Sequence, residues 1–213
     1  MPRAIPSCLA AALLSLALST ALLADIELPA PQTEGGAGVF DALRKRSSAA
    51  GGDFSPAEVP LSELSTVLWA ATGLNRGESG WTVPMADGLP PYVDVYALGN
   101  EGVFRYDWKA QRLAEISREN VKDRVGRQGF VRRAAWILVF ASNPEGLAQL
   151  RNPDTGAEFA QVLTGAMTQN VYLAAGALKL GARYIHSIYQ DEIKAALSLP
   201  EGSVPIALML LGK

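Results

Sequence analysis

The chain is poor in the residues that build disulfide and metal sites. Its 213 residues include one cysteine, Cys8, and one histidine, His186. A disulfide framework needs pairs of cysteines, and a structural zinc site needs four ligands that are mostly Cys or His. The sequence therefore excludes a disulfide-stabilised scaffold and the common zinc sites, and we predict no metal ligand. Any redox chemistry would have to come from a bound organic cofactor.

The chain also lacks an excess of charge of either sign. There are 19 Lys and Arg residues against 21 Asp and Glu residues, which gives a formal net charge of −2. A broad nucleic-acid-binding surface needs clustered Lys and Arg that displace counterions, so we predict no nucleic-acid partner. Hydrophobic residues make up 49% of the chain. This share excludes an intrinsically disordered protein, and the length predicts a single domain.

Part of the apolar content lies at the N-terminus. An apolar run from Cys8 to Ala24 follows a single basic residue, Arg3. At about 17 residues, the run is short for a membrane span and typical of a secretory signal, with small residues for cleavage after Ala21 or Ala24. We predict that residues 1–24 are a signal peptide, with an uncleaved N-terminal anchor as the alternative. Cleavage would give a periplasmic or secreted protein with no membrane attachment.

The rest of the chain divides into a short lead-in and one domain. Residues 25–38 are rich in proline and glycine and predict an extended lead-in, and residues 39–213 predict a single domain. Apolar spacing predicts helices over Val39–Ser48, Leu61–Gly73, Glu119–Val125, Phe159–Leu180 and Gln190–Leu197, and strands over Val93–Leu98, Gly102–Tyr106, Ala134–Ala141, Ala182–Ile188 and Val204–Leu211. This order predicts the α+β class, with a mixed, mainly antiparallel central sheet flanked by helices.

Few residues have the spacing of a known catalytic site. The sequence has no Gly-x-Ser-x-Gly turn that would pair a nucleophile with His186, and this histidine falls in a predicted strand, which favours a hydrogen-bonded structural role. Glu78, Asp87 and Asp94 lie in or near the long loop Asn75–Pro91, but their spacing selects no acid–base pair. The loop itself is longer than most connections and is therefore either functional or disordered. The catalytic residue stays unknown.

A more specific pattern is the segment Arg44-Lys45-Arg46-Ser47-Ser48. Three cations followed by two hydroxyl groups have the donors that bind a phosphate through charge and hydrogen bonds. The same residues would also suit a solvated helix end, since basic side chains are favoured near the C-terminus of a helix. From composition alone, both interpretations stay open.

Several segments in a fixed order resemble a known family. After the basic–Ser segment come Leu68–Arg76, a Thr82-x-Pro84 loop that continues into Val93–Tyr96, Phe104–Asp107, Thr168–Ala175, Leu180–Arg183 and Leu199–Gly202. Together they resemble the nitroreductase-like superfamily, in particular its small exported members near the dehydrogenase branch that oxidises thiazoline and oxazoline rings. The resemblance runs from about residue 27 to the end of the chain.

The resemblance implies an α+β flavoprotein that forms a homodimer with FMN at the subunit interface. The implied chemistry is a two-electron (hydride) transfer to or from a small organic substrate. Carried over residue by residue, Lys45, Arg46 and Ser47 would hold the phosphate and the ribityl chain of FMN. Pro84, Met85 and Ala86 would lie against its ring system.

The chain departs from the family pattern at several of the implied contacts. Met85 stands where the family has a hydroxyl residue, and Gly88 and Pro90 stand where it has Asn and Gln. Two hypotheses follow. The chain is an exported FMN-dependent oxidoreductase, or it is a cofactor-depleted relative that binds a small molecule without catalysis. In the second case, Trp81, Met85 and Tyr92 would line an apolar pocket, unless they only pack the core.

Overall fold

The computed structural model describes residues 24–55, 57–78 and 80–213. Apart from Ala24, the predicted signal peptide lies outside the described residues. Among the helices that are described, none has the length and apolar content that a membrane span requires.

The centre of the molecule is a seven-stranded sheet. Its strands are β1 (Ile26–Glu27), β4 (Val93–Leu98), β5 (Val103–Asp107), β6 (Arg112–Ser117), β7 (Trp136–Ser142), β8 (Gly181–Ile185) and β9 (Pro205–Gly212), while β2 (Leu74–Arg76) and β3 (Gly80–Trp81) form a separate hairpin. The strand order across the sheet is β1-β6-β5-β4-β7-β9-β8. All strand pairs in the described part of the chain are antiparallel. The α+β class with a mainly antiparallel sheet is confirmed.

The two most apolar strands lie in the middle of this sheet. Every residue of β7 and of β9 is buried, and the two strands pair from Trp136 opposite Leu211 to Ala141 opposite Pro205. A strand that is covered on both faces has no polar side to alternate with. The unbroken apolar runs in the sequence therefore predicted these central strands correctly.

Helices cover both faces of the sheet. They are α1 (Val39–Lys45), α2 (Leu61–Thr72), α3 (Pro144–Leu147), α4 (Gly156–Ala177) and α5 (Gln190–Ala196). The α2 and α4 helices pack together over one face, where Leu68, Met167 and Val171 are buried against the strands. On the other face, Phe54, Val125 and Ile193 form a second buried layer. The arrangement places α4 between α2 and the β8 edge of the sheet.

Two segments differ from the sequence prediction. Residues 119–125 form turns instead of a helix, because Val121 and Val125 pack into the second layer and the ammonium group of Lys122 donates a hydrogen bond to the Ala134 carbonyl at 2.9 Å. The loop after α2 is also less irregular than expected, since it contains the β2–β3 hairpin and a short 3-10 turn at Ala86–Gly88.

The lead-in is extended and is fixed to the domain. Its strand β1 pairs with β6, and the following Leu28 is buried. The hydroxyl of Ser65 on α2 donates to the Pro29 carbonyl at 2.5 Å, and the backbone N–H of Gln32 donates to the Thr66 hydroxyl at 2.9 Å. Residues 25–32 therefore form part of the packed structure.

Candidate functional site

The basic segment lies where α1 ends. Lys45 is the last helical residue and pairs with Asp41 at 2.7 Å, and Arg44 pairs with the same carboxylate. Hydrogen bonds from Lys45 and then from Arg44 hold the pKa of Asp41 below its ordinary value. At Arg46 the backbone leaves the helical conformation, with φ −55° and ψ 123°, so the chain turns away from α1 towards the sheet edge.

The residues after the turn are attached to β8. The backbone N–H of Ala49 donates to the Ala182 carbonyl at 2.9 Å, and the Arg183 guanidinium donates back to the Ala49 carbonyl at 2.8 Å. The hydroxyl of Ser48 lies 2.7 Å from the Tyr172 hydroxyl on α4. These contacts place Ser47 in a gap between α1, α4 and β8.

A cavity of about 260 Å³ occupies this gap. Its lining brings together two ammonium groups and a hydroxyl, from Lys45, Lys179 and Ser47, with Ala49, Tyr172, Gly176, Leu180, Gly181 and Ala182 completing the wall. A Cβ atom added at Gly176 would meet no atom within 4 Å, so the wall is open at that point. Two lysines and a serine are donors that suit a phosphate group.

The segment Pro84–Ala86 is ordered by contacts on another side of the molecule. Pro84 is exposed, whereas Met85 and Ala86 are half-buried against the core below α2 and α4. The Asn170 side-chain amide on α4 donates to the carbonyls of Thr82 and Ala70, both at 3.0 Å. These bonds fix the loop just before Pro84 against the last turn of α2.

One copy of the chain does not bring the two predicted segments into one cavity. Tyr172 contacts the basic segment, and Asn170 contacts the loop before Pro84. The two residues are two positions apart, and at about 100° per residue their side chains leave α4 in nearly opposite directions. Accordingly, the cavity that Lys45 lines includes none of the residues in Pro84–Ala86.

The chain matches the model of the nitroreductase family over residues 43–213. It belongs to the nitroreductase family. A candidate nitroreductase of Methanocaldococcus jannaschii is 31% identical over 182 residues, which cover 81% of this chain and 89% of that protein. The NADPH-flavin oxidoreductase of Vibrio harveyi is 35% identical over 95 residues, covering 41% of this chain and 39% of that protein.

A solved structure confirms the nitroreductase fold. A candidate nitroreductase of Ralstonia eutropha superposes with a TM-score of 0.80 at 31% identity, and the match covers 89% of each chain. Nitroreductases are typically FMN-dependent oxidoreductases that act on small molecules. The residues that line the cavity fit the phosphate end of FMN, because they include the donors Lys45, Ser47 and Lys179.

The next candidates from the sequence are Trp81, Tyr92 and His186, and they do not come together as a second site. Trp81 and Tyr92 are buried, and the Trp81 ring packs edge-on against Trp108 with 4.5 Å between centroids. They act as packing residues of the core and line no apolar ligand pocket with Met85 among the cavities described. His186 is exposed, and its Nδ1 donates to the Ile206 carbonyl at 3.1 Å. It is hydrogen-bonded as predicted, but it lies just after β8 instead of within the strand.

The acidic candidates stay apart. Asp87 pairs with Arg151 at 3.1 Å, and Asp94 accepts a hydrogen bond from the Asn143 amide at 3.3 Å. Burial raises the pKa of Asp94 above its ordinary value. Within residues 24–55, 57–78 and 80–213, no cluster of three or more His, Cys, Asp or Glu side chains could hold a metal ion.

Two residues that line this cavity, Lys179 and Tyr172, were not predicted from the sequence. Lys179 and Tyr172 lie more than 120 positions after the basic segment, and no local pattern connects them to it. The available signals were two segments of the family resemblance: Thr168–Ala175, which contains Tyr172, and Leu180–Arg183, which Lys179 immediately precedes.

Proposed function

We propose that the protein is an exported, homodimeric FMN-dependent oxidoreductase that transfers two electrons, as a hydride, to or from a small organic substrate. The observation that carries the proposal is the cavity in which Lys45, Ser47 and Lys179 converge. When bound, FMN supplies the hydride chemistry. The task of this chain's residues is to bind the cofactor, to orient its ring and to exclude water.

The phosphate end of FMN would lie in the cavity between α1, α4 and β8. Lys45 and Lys179 would each donate a charge-assisted hydrogen bond, and the Ser47 hydroxyl would donate a third. Arg46 would support this end from outside, since its guanidinium lies over the Tyr172 ring at 5.2 Å from the centroid and is not part of the cavity lining.

The ring end would be completed by a second copy. Large apolar side chains are exposed on α1 and on α4, with Phe40 84% and Val162 74% accessible, and Val39, Leu43 and Phe159 lie among the same exposed set. Exposed apolar surfaces of this kind mark interfaces, and homodimers usually have two-fold symmetry. In such a dimer, Pro84, Met85 and Ala86 of one copy would pack against the ring of the FMN whose phosphate is held by the other.

The departures from the family pattern bear on how the ring would be held. Met85, Gly88 and Pro90 offer no side-chain hydrogen-bond donor to the ring. The loop would therefore hold the ring through packing and backbone groups. This observation also favours the second candidate function, a relative that binds a small molecule without catalysis.

A visible absorption spectrum of the purified protein separates the two functions. We expect the bands of an oxidised flavin, either as isolated or after addition of FMN and removal of the excess. The Lys45→Ala/Arg46→Ala double variant should lose the flavin and remain folded. A wild-type protein that is colourless and binds no added FMN would instead favour the non-catalytic function. A separate experiment tests the export of the protein. The full chain is expressed, and the N-terminus of its periplasmic form is sequenced.

A further inference from the structure

Tyr172 contacts the basic segment at two points. Its ring lies beneath the Arg46 guanidinium at 5.2 Å, and its hydroxyl lies 2.7 Å from the hydroxyl of Ser48. The tyrosine comes from α4, more than 120 positions along the chain, and it also lines the cavity. Ser47, the hydroxyl residue of the cavity, lies between the two residues that Tyr172 holds.

The Tyr172 hydroxyl is itself fixed by the sheet. The backbone N–H of Tyr184 on β8 donates to this oxygen at 2.8 Å. An N–H group can only donate, so the phenol accepts there and keeps its own proton for a second bond. That proton can go to the Ser48 hydroxyl. The result is a continuous connection from the backbone of β8 through α4 to the basic segment.

The stretch Arg46–Ala49, which follows α1, needs such a connection because it has no regular structure of its own. Its first residue is tied to α1, since the N–H of Arg46 donates to the Ala42 carbonyl at 2.9 Å. Its last residue, Ala49, is tied to β8 by two hydrogen bonds. Ser47 and Ser48 span the interval between these ends, and the bond from Ser48 to Tyr172 holds its middle.

We infer that Tyr172 is a positioning residue that makes the site selective for a phosphate-bearing flavin. By fixing Arg46 and Ser48, it orients Ser47 and Lys45 before the cofactor arrives. A binding loop that is already ordered loses less conformational entropy when the ligand binds. The smaller entropy loss strengthens binding of the phosphate in particular, because the fixed groups lie at that end of the site. This inference rests on the proposed function.

The experiment compares the affinities of the apoprotein for FMN and for riboflavin, which has the same ring and ribityl chain but no phosphate. Flavin fluorescence titrations give both dissociation constants for each variant. Tyr172→Phe keeps the ring beneath Arg46 and removes the hydroxyl. We expect it to weaken FMN binding about three- to tenfold, the usual effect of one neutral hydrogen bond. Riboflavin binding should change less than about twofold.

Two further variants make the result specific. Ser48→Ala removes the same hydrogen bond from the other side and should reduce the preference for FMN to a similar degree. The double variant should be no worse than Tyr172→Phe alone, because loss of the phenol hydroxyl already breaks the bond to Ser48. Tyr184→Phe is the matched control. It removes a phenol from the neighbouring strand and leaves the backbone N–H that donates to Tyr172, so the preference should stay as in the wild type.

The outcomes separate this inference from the proposed function. If the wild type binds FMN no more tightly than riboflavin, the phosphate site is wrong and the inference fails with it. If the wild type prefers FMN and both Tyr172→Phe and Ser48→Ala keep that preference, the inference alone is overturned. Thermal unfolding of each apoprotein shows whether it is folded. Should Tyr172→Phe fail to fold, the exposed Ser48→Ala decides the question.

Discussion

The two sides of α4 carry the two halves of the site and are built in different ways. On the β8 side, the basic segment is exposed and is held by a few hydrogen bonds from Tyr172, Ala182 and Arg183. On the α2 side, the loop before Pro84 is held by a half-buried amide and by packing against the core. The first region is the one that we propose binds the charged phosphate, and the second is part of the folded core.

This difference predicts that substitutions on the two sides have separable effects. Changes at the exposed cations should alter ligand affinity and leave the free energy of unfolding nearly unchanged, because surface ion pairs contribute little to stability. Changes at the packed loop should lower the stability first and affect ligand binding through the loss of structure.

The largest effect on stability is expected from Asn170→Ala. The variant leaves the carbonyls of Ala70 and Thr82 without their side-chain donor, and each unsatisfied buried group costs about 1–2 kcal/mol. We expect the free energy of unfolding in urea to fall by about 2–4 kcal/mol.

Gln169→Ala is the matched control on the exposed face of the same helix. It should change stability by less than about 0.5 kcal/mol. Limited proteolysis should also show faster cleavage near Pro84 in Asn170→Ala. Equal stability of the two variants would mean that Asn170 does not hold the loop.

The next effect is a loss of affinity on the other side of α4. Lys179→Ala removes one of the two ammonium groups from the cavity, and a hydrogen bond to a charged group contributes about 1.5–3 kcal/mol. We therefore expect FMN to bind at least about tenfold more weakly, with unfolding unchanged to within about 0.5 kcal/mol. Lys45→Ala should behave in the same way.

Arg44→Ala provides the control for Lys45→Ala. Both residues pair with Asp41 and carry one positive charge, but only Lys45 lines the cavity. Arg44→Ala should therefore leave FMN binding close to that of the wild type. If it weakens binding as much as Lys45→Ala does, the segment attracts the ligand by its overall charge, and the convergence of donors has no special role.

The sequence predicted those parts of the fold that a local pattern determines and failed where distant contacts determine the conformation. Helices α2 and α4 have apolar residues at regular intervals, and strands β7 and β9 are unbroken apolar runs. Both patterns are strong local signals. Strand β6 was missed because Arg112 and Glu115, three positions apart, interrupt its apolar residues without the period of two that marks a strand, and most of its side chains near the sheet edge are half-buried. The helix predicted over residues 119–125 was wrong, because contacts with distant residues determine the conformation of this segment.

For the site, the sequence predicted only what is local. Lys45, Arg46 and Ser47 are adjacent, and their charge and hydroxyl pattern is visible without a structure. Lys179 and Tyr172 come to the same cavity because α4 runs back beside α1 and then turns into β8. Such a convergence is a property of the topology, and no spacing in the sequence contains it.

The smallest effect concerns Asp94 at the start of β4. Burial raises the pKa of this carboxyl in the folded protein, against the opposing effects of Arg105 and the Asn143 amide. The folded state therefore holds the proton more tightly than the unfolded state. By linkage, the contribution of Asp94 to stability decreases as the pH rises from the ordinary aspartate pKa through the raised one.

Asp94→Asn should remove this dependence. The introduced amide would still accept the hydrogen bond from Asn143 through its oxygen, and it has no charge to desolvate. We expect the variant to be slightly more stable than the wild type in urea at neutral pH, with the difference shrinking below the ordinary aspartate pKa. Glu145→Gln, an exposed neighbour, controls for the loss of a charge near this position. A variant that is less stable at neutral pH would mean that the ionised Asp94 is favoured by its partners, Arg105 and the Asn143 amide.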